Sequence, residues 1–233
     1  MQGRLILCDI DGTLVDTAGA GLEALRGAAR ELFGGEGPPL NLCGATDGGI
    51  VRDYLAFFEE PYEEARVEEF YSTYLRHLDE QLSSGSFAGR VLPGVVSLLN
   101  GLSERGATLG LLTGNIARGA AAKVAHYGLA EYFDFGAYGD DHHDRNQLGP
   151  VALRRAEEGT GITFFSSGTI VLGDTPKDIA CAKHINAIAV CVATGSFGVE
   201  KLKEEGADLV FSSFENHDQC IEEMGRLFED SVI

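Results

Sequence analysis

Positive charge is scarce in this sequence. The 233 residues include 36 Asp and Glu but only 18 Lys and Arg, which gives a formal net charge of −18 at pH 7. The first lysine of the chain is Lys123, so the N-terminal half has none. This balance argues against a surface that binds nucleic acid or another polyanion. A small anionic substrate would therefore have to be held by a few local hydrogen-bond donors and cations.

Paired cysteines and long apolar runs are also lacking. The five cysteines include no CxxC pair and mostly lie in apolar runs, which predicts buried thiols in a reducing compartment rather than disulfides. No window approaches 18 uninterrupted apolar residues, and the apolar stretch before Asp9 is too short for the core of a signal peptide. The sequence also shows no internal repeat or low-complexity run. We therefore expect a cytoplasmic protein without a membrane span.

Short apolar runs that end in Asp, Gly or Thr alternate with longer segments of helical period. This alternation is typical of an α/β fold in which helices cover both faces of a doubly wound parallel sheet. The predicted core strands are residues 5–8, 108–112, 133–137, 169–172, 187–192 and 208–211. The predicted core helices are residues 95–104, 117–127, 150–158, 177–183, 199–205 and 215–228.

A long segment separates the first two predicted strands. It spans about ninety residues, far more than a crossover connection needs. We predict three helices there, at residues 19–33, 48–58 and 63–82. An amphipathic face on the third is formed by Val67, Phe70, Tyr71, Tyr74, Leu75 and Leu78. These helices are expected to form an α-helical cap domain, residues 17–89, inserted into a core domain of residues 1–16 and 90–233. Segments 14–17 and 83–94 are interpreted as loop-like linkers on which the cap swings.

Two aspartates follow the first strand in the sequence CDIDGT, residues 8–13. Side chains two positions apart on an extended chain point the same way, so Asp9 and Asp11 are predicted to project together. They fall at the carboxyl edge of the sheet, where open α/β folds place their ligands. The alternative is a solvent-exposed Asp-Gly turn that merely ends a strand.

A second motif, LLTGN at residues 111–115, again leads from a strand into a helix. The hydroxyl of Thr113 and the free N–H groups at the helix start are candidates for a phosphate seat. Thr and Asn are also ordinary helix caps, so this motif is weak evidence by itself.

The third motif is GDTPKD, residues 173–178. Asp174 ends a strand, Pro176 suits a first helical position, and Asp178 falls in the first helical turn. Both carboxylates are expected to face the same sheet edge as the first motif. The helix dipole alone would explain an acidic residue at position 178, but it would not explain why both Asp174 and Asp178 are acidic.

Convergence of Asp9, Asp11, Asp174 and Asp178 would require a compensating cation, because like charges at close range do not all ionise. The predicted ligands are all oxygen atoms, and no His or Cys is suitably placed. The predicted cofactor is therefore a hard divalent cation, Mg²⁺ rather than Zn²⁺.

Together the three motifs resemble those of the haloacid dehalogenase superfamily, specifically its phosphatases with a helical cap inserted after the first motif. The resemblance covers essentially the whole chain, with the motifs in the family's order. It implies that Asp9 is a nucleophile and that Asp11 is the general acid/base. It also implies that Thr113, with Gly114 and Asn115, binds the phosphate.

The same resemblance implies the ligands of the metal ion. Mg²⁺ would be held by carboxylates of Asp9, Asp174 and Asp178 and by the backbone carbonyl of Asp11.

The family's third motif, usually a Lys shortly before the acidic strand, has no Lys in the matching stretch, residues 140–150. Arg145 is the basic residue there, and we predict that it takes the place of this Lys beside the nucleophile and the phosphate. Lys123 is the competing candidate, although its mid-helix position predicts an outward-facing side chain. His142 and His143 stand beside aspartates and are interpreted as a solvated loop rather than as metal ligands.

The resemblance implies a Mg²⁺-dependent phosphomonoester hydrolase that acts on a small phosphorylated metabolite and is most like the phosphoglycolate phosphatase group. A sugar phosphomutase of the β-phosphoglucomutase kind stays open as an alternative. Dehalogenase chemistry does without the acid/base Asp and the metal, whereas this chain has Asp11 and the acidic motif. Phosphonate cleavage uses a lysine in the cap, where this chain has none. A non-enzymatic phosphoacceptor signalling domain is a third alternative, against which the helical insertion and Asp178 argue.

Within the predicted cap, Arg52 is a candidate to bind an anionic group on the leaving alcohol, such as a carboxylate. A surface ion pair with one of the cap acids is the alternative. Thr46 or Asp47 is interpreted as the cap of the helix that carries Arg52. We expect no nucleic-acid or membrane partner, and either a monomer or a homodimer.

Overall fold

The computed structural model describes residues 1–40 and 42–230. Its strands, numbered along the chain, are β1 (Leu5–Cys8), β2 (Val15–Asp16), β3 (Arg90–Val91), β4 (Thr108–Leu112), β5 (Gly136–Ala137), β6 (Thr169–Gly173), β7 (Ile188–Val192) and β8 (Leu209–Phe211). Six of them form one sheet in the order β5-β4-β1-β6-β7-β8, in which all the pairings are parallel. The predicted α/β class with a parallel sheet is confirmed.

Helices connect these strands and cover both faces of the sheet. They are α1 (Ala20–Phe33), α2 (Asp47–Phe57), α3 (Glu64–Ser83), α4 (Val95–Glu104), α5 (Ala117–His126), α6 (Leu148–Thr160), α7 (Pro176–His184), α8 (Val199–Glu204) and α9 (His217–Asp230). Apolar side chains of α4, α5 and α9 pack on one face of the sheet, and those of α6, α7 and α8 pack on the other. Along β1, Ile6 and Cys8 belong to the first core and Leu5 and Leu7 to the second, as the alternation of a strand requires. The sheet is therefore doubly wound.

Strand β1 lies at the centre of the sheet, between β4 and β6. Its last residue, Cys8, is level with Leu111 of β4 and Leu172 of β6. The chain order reverses on either side of β1, and such a switch point leaves a crevice beyond the carboxyl ends of the strands. The residues that follow these three strands are thereby brought to one place.

The helices of the insertion have a core of their own. Phe70, Tyr74 and Leu78 of α3 are fully or almost fully buried against α1 and α2, as the amphipathic pattern predicts. Ile116, just before α5, packs into the same cluster and joins it to the sheet. The three helices are as predicted, whereas the domain boundaries at residues 16 and 89 stay a prediction.

Two predictions about the elements are wrong. The strand predicted at 133–137 is limited to β5, because this edge strand pairs only at its last two residues with β4. The predicted loop-like linkers contain β2 and β3, which pair antiparallel through Val15 with Val91 and Asp16 with Arg90. Strands of two residues are too short to produce a periodic pattern in the sequence. The bounds of β1, α4 and β4 equal the predicted ones, and those of the other elements differ by at most two residues at either end.

Cys8, Cys181, Cys191 and Cys220 are buried, as predicted. In the part of the chain that the structure describes, no helix has both the length and the apolar composition that a membrane crossing needs.

Candidate active site

A cavity of about 330 Å³ lies between the carboxyl edge of the sheet and the helices of the insertion. Its lining includes these residues of the sequence motifs and their surroundings: Asp9, Asp11, Thr113, Gly114, Asn115, Lys123, Arg145 and Asp174. The cavity therefore brings the three motifs together at the switch point of the sheet.

Asp9 lies directly after β1 and is only 5% exposed. Its backbone N–H donates to the carbonyl of Leu172 at 2.9 Å, which extends the pairing with β6 by one residue. Burial raises the pKa of Asp9 to about 6; Arg145, whose Nη2 lies 3.3 Å from Asp9 Oδ1, opposes this shift. The neighbouring carboxylates of Asp178 and Asp11 raise the pKa further. Asp9 is thus a buried carboxyl group that needs positive charge to ionise.

Asp174 and Asp178 reach Asp9 from the start of α7. One oxygen from each of these three carboxylates lies within 4.8 Å of the others. Thr175 caps α7, and its N–H and hydroxyl donate to Asp178 Oδ2 at 3.0 and 2.7 Å. Asp178 Oδ1 accepts from Arg145 Nη2. The predicted placement of Pro176 and Asp178 in the first helical turn is confirmed.

Asp174 is held in a confined space. Thr13 Oγ1 donates to its Oδ1 at 3.2 Å, and a side chain at either Gly12 or Gly195 would collide with the Asp174 carboxylate. Burial raises the pKa of Asp174 to about 8, and the charges of Asp178 and Asp9 add to this effect. Thr13, Gly12 and Gly195 are contacts that the sequence analysis did not find.

The predicted convergence of four carboxylates is wrong for Asp11. Asp11 lines the cavity, but its Oδ2 turns to Lys123 Nζ at 2.6 Å and to Asn115 Nδ2 at 2.8 Å. The alternation of side chains applies to an extended chain, and the chain turns here: Gly12 has φ of +82°, and the N–H of Leu14 donates to the carbonyl of Ile10. Among the described residues, the cluster that could hold a metal ion therefore has three carboxylates.

Lys123 is buried, so the prediction of an outward-facing side chain is wrong. Its ammonium group donates to Asp11 and, at 2.6 Å, to Asn115 Oδ1. Burial would raise the pKa of Asp11, but the charge of Lys123 and the hydrogen bonds from Lys123 and Asn115 hold it below its ordinary value. The pair Lys123 and Asn115 thus keeps Asp11 ionised and fixes its orientation.

Thr113 is fully buried at the end of β4. Its Oγ1 accepts from Asn115 Nδ2 at 2.8 Å, which leaves the hydroxyl proton available to donate toward the cavity. Gly114 also lines the cavity. Two of the N–H groups at the start of α5, which were predicted to bind phosphate, already have carboxylate partners. The N–H of Ile116 donates to Asp47 Oδ2 at 2.9 Å, and that of Ala117 donates to Asp140.

Asp47 is a site residue whose part the sequence analysis missed. Thr46 is the cap of α2, as predicted, and its Oγ1 accepts from the N–H of Gly49. Asp47 is buried instead, with its N–H donating to the carbonyl of Gly114 at 2.6 Å. Burial raises the pKa of Asp47 to about 6, against the charge of Lys123 and the hydrogen bond from Ile116. The start of α2 is thereby docked on the LLTGN motif.

Arg145 is brought to the three-carboxylate cluster, as predicted. It begins the short 3₁₀ turn Arg145–Gln147 before α6 and is only 5% exposed. The sequence also leaves open a surface ion pair of Arg145 with Asp141 or Asp144, and this alternative is wrong: Arg145 contacts Asp9 and Asp178. Asp141 binds Arg155 through both of its oxygens, each at 2.6 Å.

Arg52 is exposed on α2 and does not line the cavity. The structure does not bring it to the other predicted residues. His142 and His143 stack on each other, with ring centroids 4.5 Å apart, in the loop before Arg145. His142 Nδ1 accepts from the N–H of Asp144, which fits the interpretation of a loop rather than a metal site.

The chain matches a known protein family, named phosphatases and a solved structure of the same fold. A family model described as haloacid dehalogenase-like hydrolase matches residues 6–192. The probable phosphatase IndB of Dickeya dadantii is 28% identical over 213 residues, which cover 90% of this chain and 90% of that protein. A phosphoglycolate phosphatase of Agrobacterium fabrum is also 28% identical over 213 residues, or 90% of this chain and 88% of that protein. The crystal structure of a β-phosphoglucomutase from Clostridium difficile has a TM-score of 0.71 at 21% identity, covering 100% of this chain and 99% of that chain.

Proposed function

We propose that this chain, which belongs to the haloacid dehalogenase-like hydrolase family, is a Mg²⁺-dependent phosphatase that hydrolyses phosphate monoesters of small metabolites. The observation that carries the proposal is the place of Asp9: a buried carboxylate that clusters with Asp174 and Asp178, contacts Arg145 and lines the cavity. Relatives named as phosphatases, including a phosphoglycolate phosphatase, support it.

The first half of the proposed reaction transfers the phosphoryl group to the protein. An oxygen of the Asp9 carboxylate attacks phosphorus, and the bond from phosphorus to the leaving oxygen breaks. Asp11, which takes up a proton when the phosphate dianion binds beside it, gives that proton to the leaving oxygen, and the group departs as an alcohol. Thr113 donates a hydrogen bond to a phosphoryl oxygen, and Arg145 offsets the negative charge beside Asp9.

The second half regenerates the protein. Asp11 takes a proton from a water molecule as its oxygen attacks phosphorus, and the bond between phosphorus and Asp9 breaks. Inorganic phosphate leaves, and Asp9 is a carboxylate again. Lys123 and Asn115, both bound to Asp11 Oδ2, keep the general base oriented for this step.

The donor set fits Mg²⁺. Asp9, Asp174 and Asp178 offer three clustered, buried carboxylate oxygens, and the raised pKa values of Asp9 and Asp174 show that Arg145 alone does not compensate their charge. The backbone carbonyl of Asp11 is proposed as a fourth ligand. When bound, the cation would neutralise charge on the transferring phosphoryl group.

Multiple turnover tests the proposed function directly. With Mg²⁺ and p-nitrophenyl phosphate, we expect many molecules of p-nitrophenol per protein molecule, because the aspartyl phosphate is hydrolysed after each transfer. A phosphoacceptor domain would instead take up one phosphoryl group from acetyl phosphate and stop. Conversion of glucose 1-phosphate to glucose 6-phosphate, without release of inorganic phosphate, would identify a phosphomutase.

Replacing Arg145 tests its role beside the nucleophile. We expect Arg145→Ala to lower kcat about 10²-fold, because it removes the buried cation next to Asp9. Arg145→Lys should retain part of the activity, since an ammonium group supplies the charge but not the two-oxygen geometry of a guanidinium group. Steady-state kinetics with p-nitrophenyl phosphate measures both variants.

Lys123→Ala is the matched comparison, because Lys123 is the other buried cation of the cavity. It should raise the pKa of Asp11 and so shift the pH dependence of the rate upward on its acidic side. Arg145→Ala should lower the rate across the pH range without that shift. A severe loss in Lys123→Ala with nearly full activity in Arg145→Ala would assign the third-motif role to Lys123 instead.

A further inference from the structure

The cavity wall that faces the sheet edge carries a group of large apolar side chains. The insertion contributes these large side chains to it: Leu22, Leu25, Leu42, Ile50 and Tyr74. Leu25, Ile50 and Tyr74 are each no more than 5% exposed, so they form a packed surface rather than mobile tips. If phosphate binds at Asp9 and Thr113, the leaving group must extend toward this wall.

The basic residues of the insertion lie elsewhere. Its arginines are Arg26, Arg30, Arg52, Arg66 and Arg76, and it contains no lysine. None of these arginines lines the cavity. Three of them form surface ion pairs: Arg30 with Glu23 and Glu36, Arg66 with Glu60 and Glu69, and Arg76 with Glu31 and Glu80. Arg52 is exposed, and Arg26 is a half-buried residue of α1. The cap side of the described cavity therefore offers no cation to a ligand.

The two basic residues that do line the cavity already have carboxylate partners. Lys123 lies 2.6 Å from Asp11, and Arg145 contacts both Asp9 and Asp178. Asp47, the one charged residue that the insertion contributes to the lining, adds a further carboxylate near Lys123. Even with a divalent cation bound, the four lining carboxylates and the phosphate dianion would outnumber the positive charges, so a second anionic group would enter a region of excess negative charge.

We infer that the substrate is a phosphate monoester of an uncharged alcohol with an apolar body, and that esters whose leaving group carries a carboxylate are disfavoured. Desolvating a carboxylate without a paired cation is costly, whereas an apolar body gains by contact with the half-buried Leu22 and Leu42. The inference rests on the proposed phosphatase function. It disfavours phosphoglycolate as the substrate, although several relatives are named phosphoglycolate phosphatases.

A matched pair of substrates tests this inference. Ethylene glycol monophosphate and 2-phosphoglycolate have the same chain length and differ in a CH₂OH group against a carboxylate. We expect kcat/KM to be at least about tenfold higher for the neutral ester. It should be higher again for benzyl phosphate, whose alcohol is about as poor a leaving group as ethylene glycol and whose ring contacts the apolar side chains of the wall. O-Phosphoethanolamine, with a cationic leaving group, should not exceed the neutral ester.

A charge placed on the wall should reverse the preference. Leu22→Lys puts an ammonium group on the half-buried, cavity-lining face of α1 and should raise kcat/KM for 2-phosphoglycolate relative to ethylene glycol monophosphate about tenfold. Ser83→Lys adds the same charge at the exposed end of α3, outside the cavity, and should leave the ratio unchanged.

The outcomes separate this inference from the function on which it rests. No turnover of any ester, p-nitrophenyl phosphate included, would overturn the proposed phosphatase and the inference with it. Turnover in which 2-phosphoglycolate or O-phosphoethanolamine equals or exceeds the neutral ester would overturn the inference alone. A ratio that moves as much in Ser83→Lys as in Leu22→Lys would also count against it.

Discussion

Asp9→Asn is expected to abolish turnover, with a loss of about 10⁴-fold or more. An amide is a poor nucleophile and a weaker ligand for a cation, so both proposed roles of Asp9 are lost at once. The variant should fold normally, because burial already disfavours the ionised form of Asp9, whose pKa is raised to about 6. Steady-state kinetics gives the loss, and thermal unfolding checks the fold.

Asp134→Asn is the matched control, since it makes the same chemical change at an exposed position that does not line the cavity. We expect its activity to equal that of the unmodified protein. If Asp9→Asn kept activity within tenfold of the unmodified protein, Asp9 would not be the nucleophile, and a different carboxylate would have to be sought.

Removal of divalent cations is expected to have the second largest effect. A bound cation that stabilises the transition state by about 4 kcal/mol accounts for about 10³ in rate, so excess chelator should lower activity by at least that factor. Mg²⁺ should restore it, and Ca²⁺ should restore it poorly because its looser coordination misplaces the reacting groups.

Binding of the cation also has a readout that does not depend on catalysis. Mg²⁺ should raise the melting temperature, because it binds the folded cluster and not the unfolded chain. Asp174→Asn should reduce that rise, whereas Asp134→Asn should not. Full activity in excess chelator, together with an unchanged melting temperature, would exclude a metal at this cluster.

The sheet and the meeting of Asp9, Asp174 and Asp178 could be predicted from the sequence, because each depends on a local pattern. A buried strand followed by a polar turn places its last residues at the sheet edge, whichever strands lie beside it. Arg145 was located in another way, by its place in the stretch that matches the family's third motif, and the short turn before α6 carries it into the cluster.

The prediction that Lys123 faces outward failed because the sequence does not show which carboxylate pairs with it. A lysine in a helix is expected in solvent unless a counter-charge is known, and here that charge is Asp11, 112 positions earlier in the chain. Only the folded structure brings the two together. Nothing in the spacing around Lys123 indicates the contact.

For Arg52, by contrast, the sequence did indicate where the side chain lies. Ile50, Val51, Tyr54 and Leu55 are buried and form one stripe of α2, and Arg52 lies outside that stripe. The helical period therefore places Arg52 on the exposed face, away from any cavity that the apolar residues line. The sequence prediction considered the charge of Arg52 but not its position on the helix.

The paired strands β2 and β3 have a consequence for how the insertion is accommodated. They bring the two ends of the helical segment together, with Leu92 N–H also donating to the carbonyl of Leu14 at 2.9 Å. The segment between β2 and β3 is therefore attached to the sheet as a closed loop, and its two ends are fixed relative to each other. Since doubling the length of a flexible loop costs only about 0.6 kcal/mol in closure entropy, an insertion of this length adds little to the entropic cost of holding β1 and α4 in place, and the reacting carboxylates keep their positions.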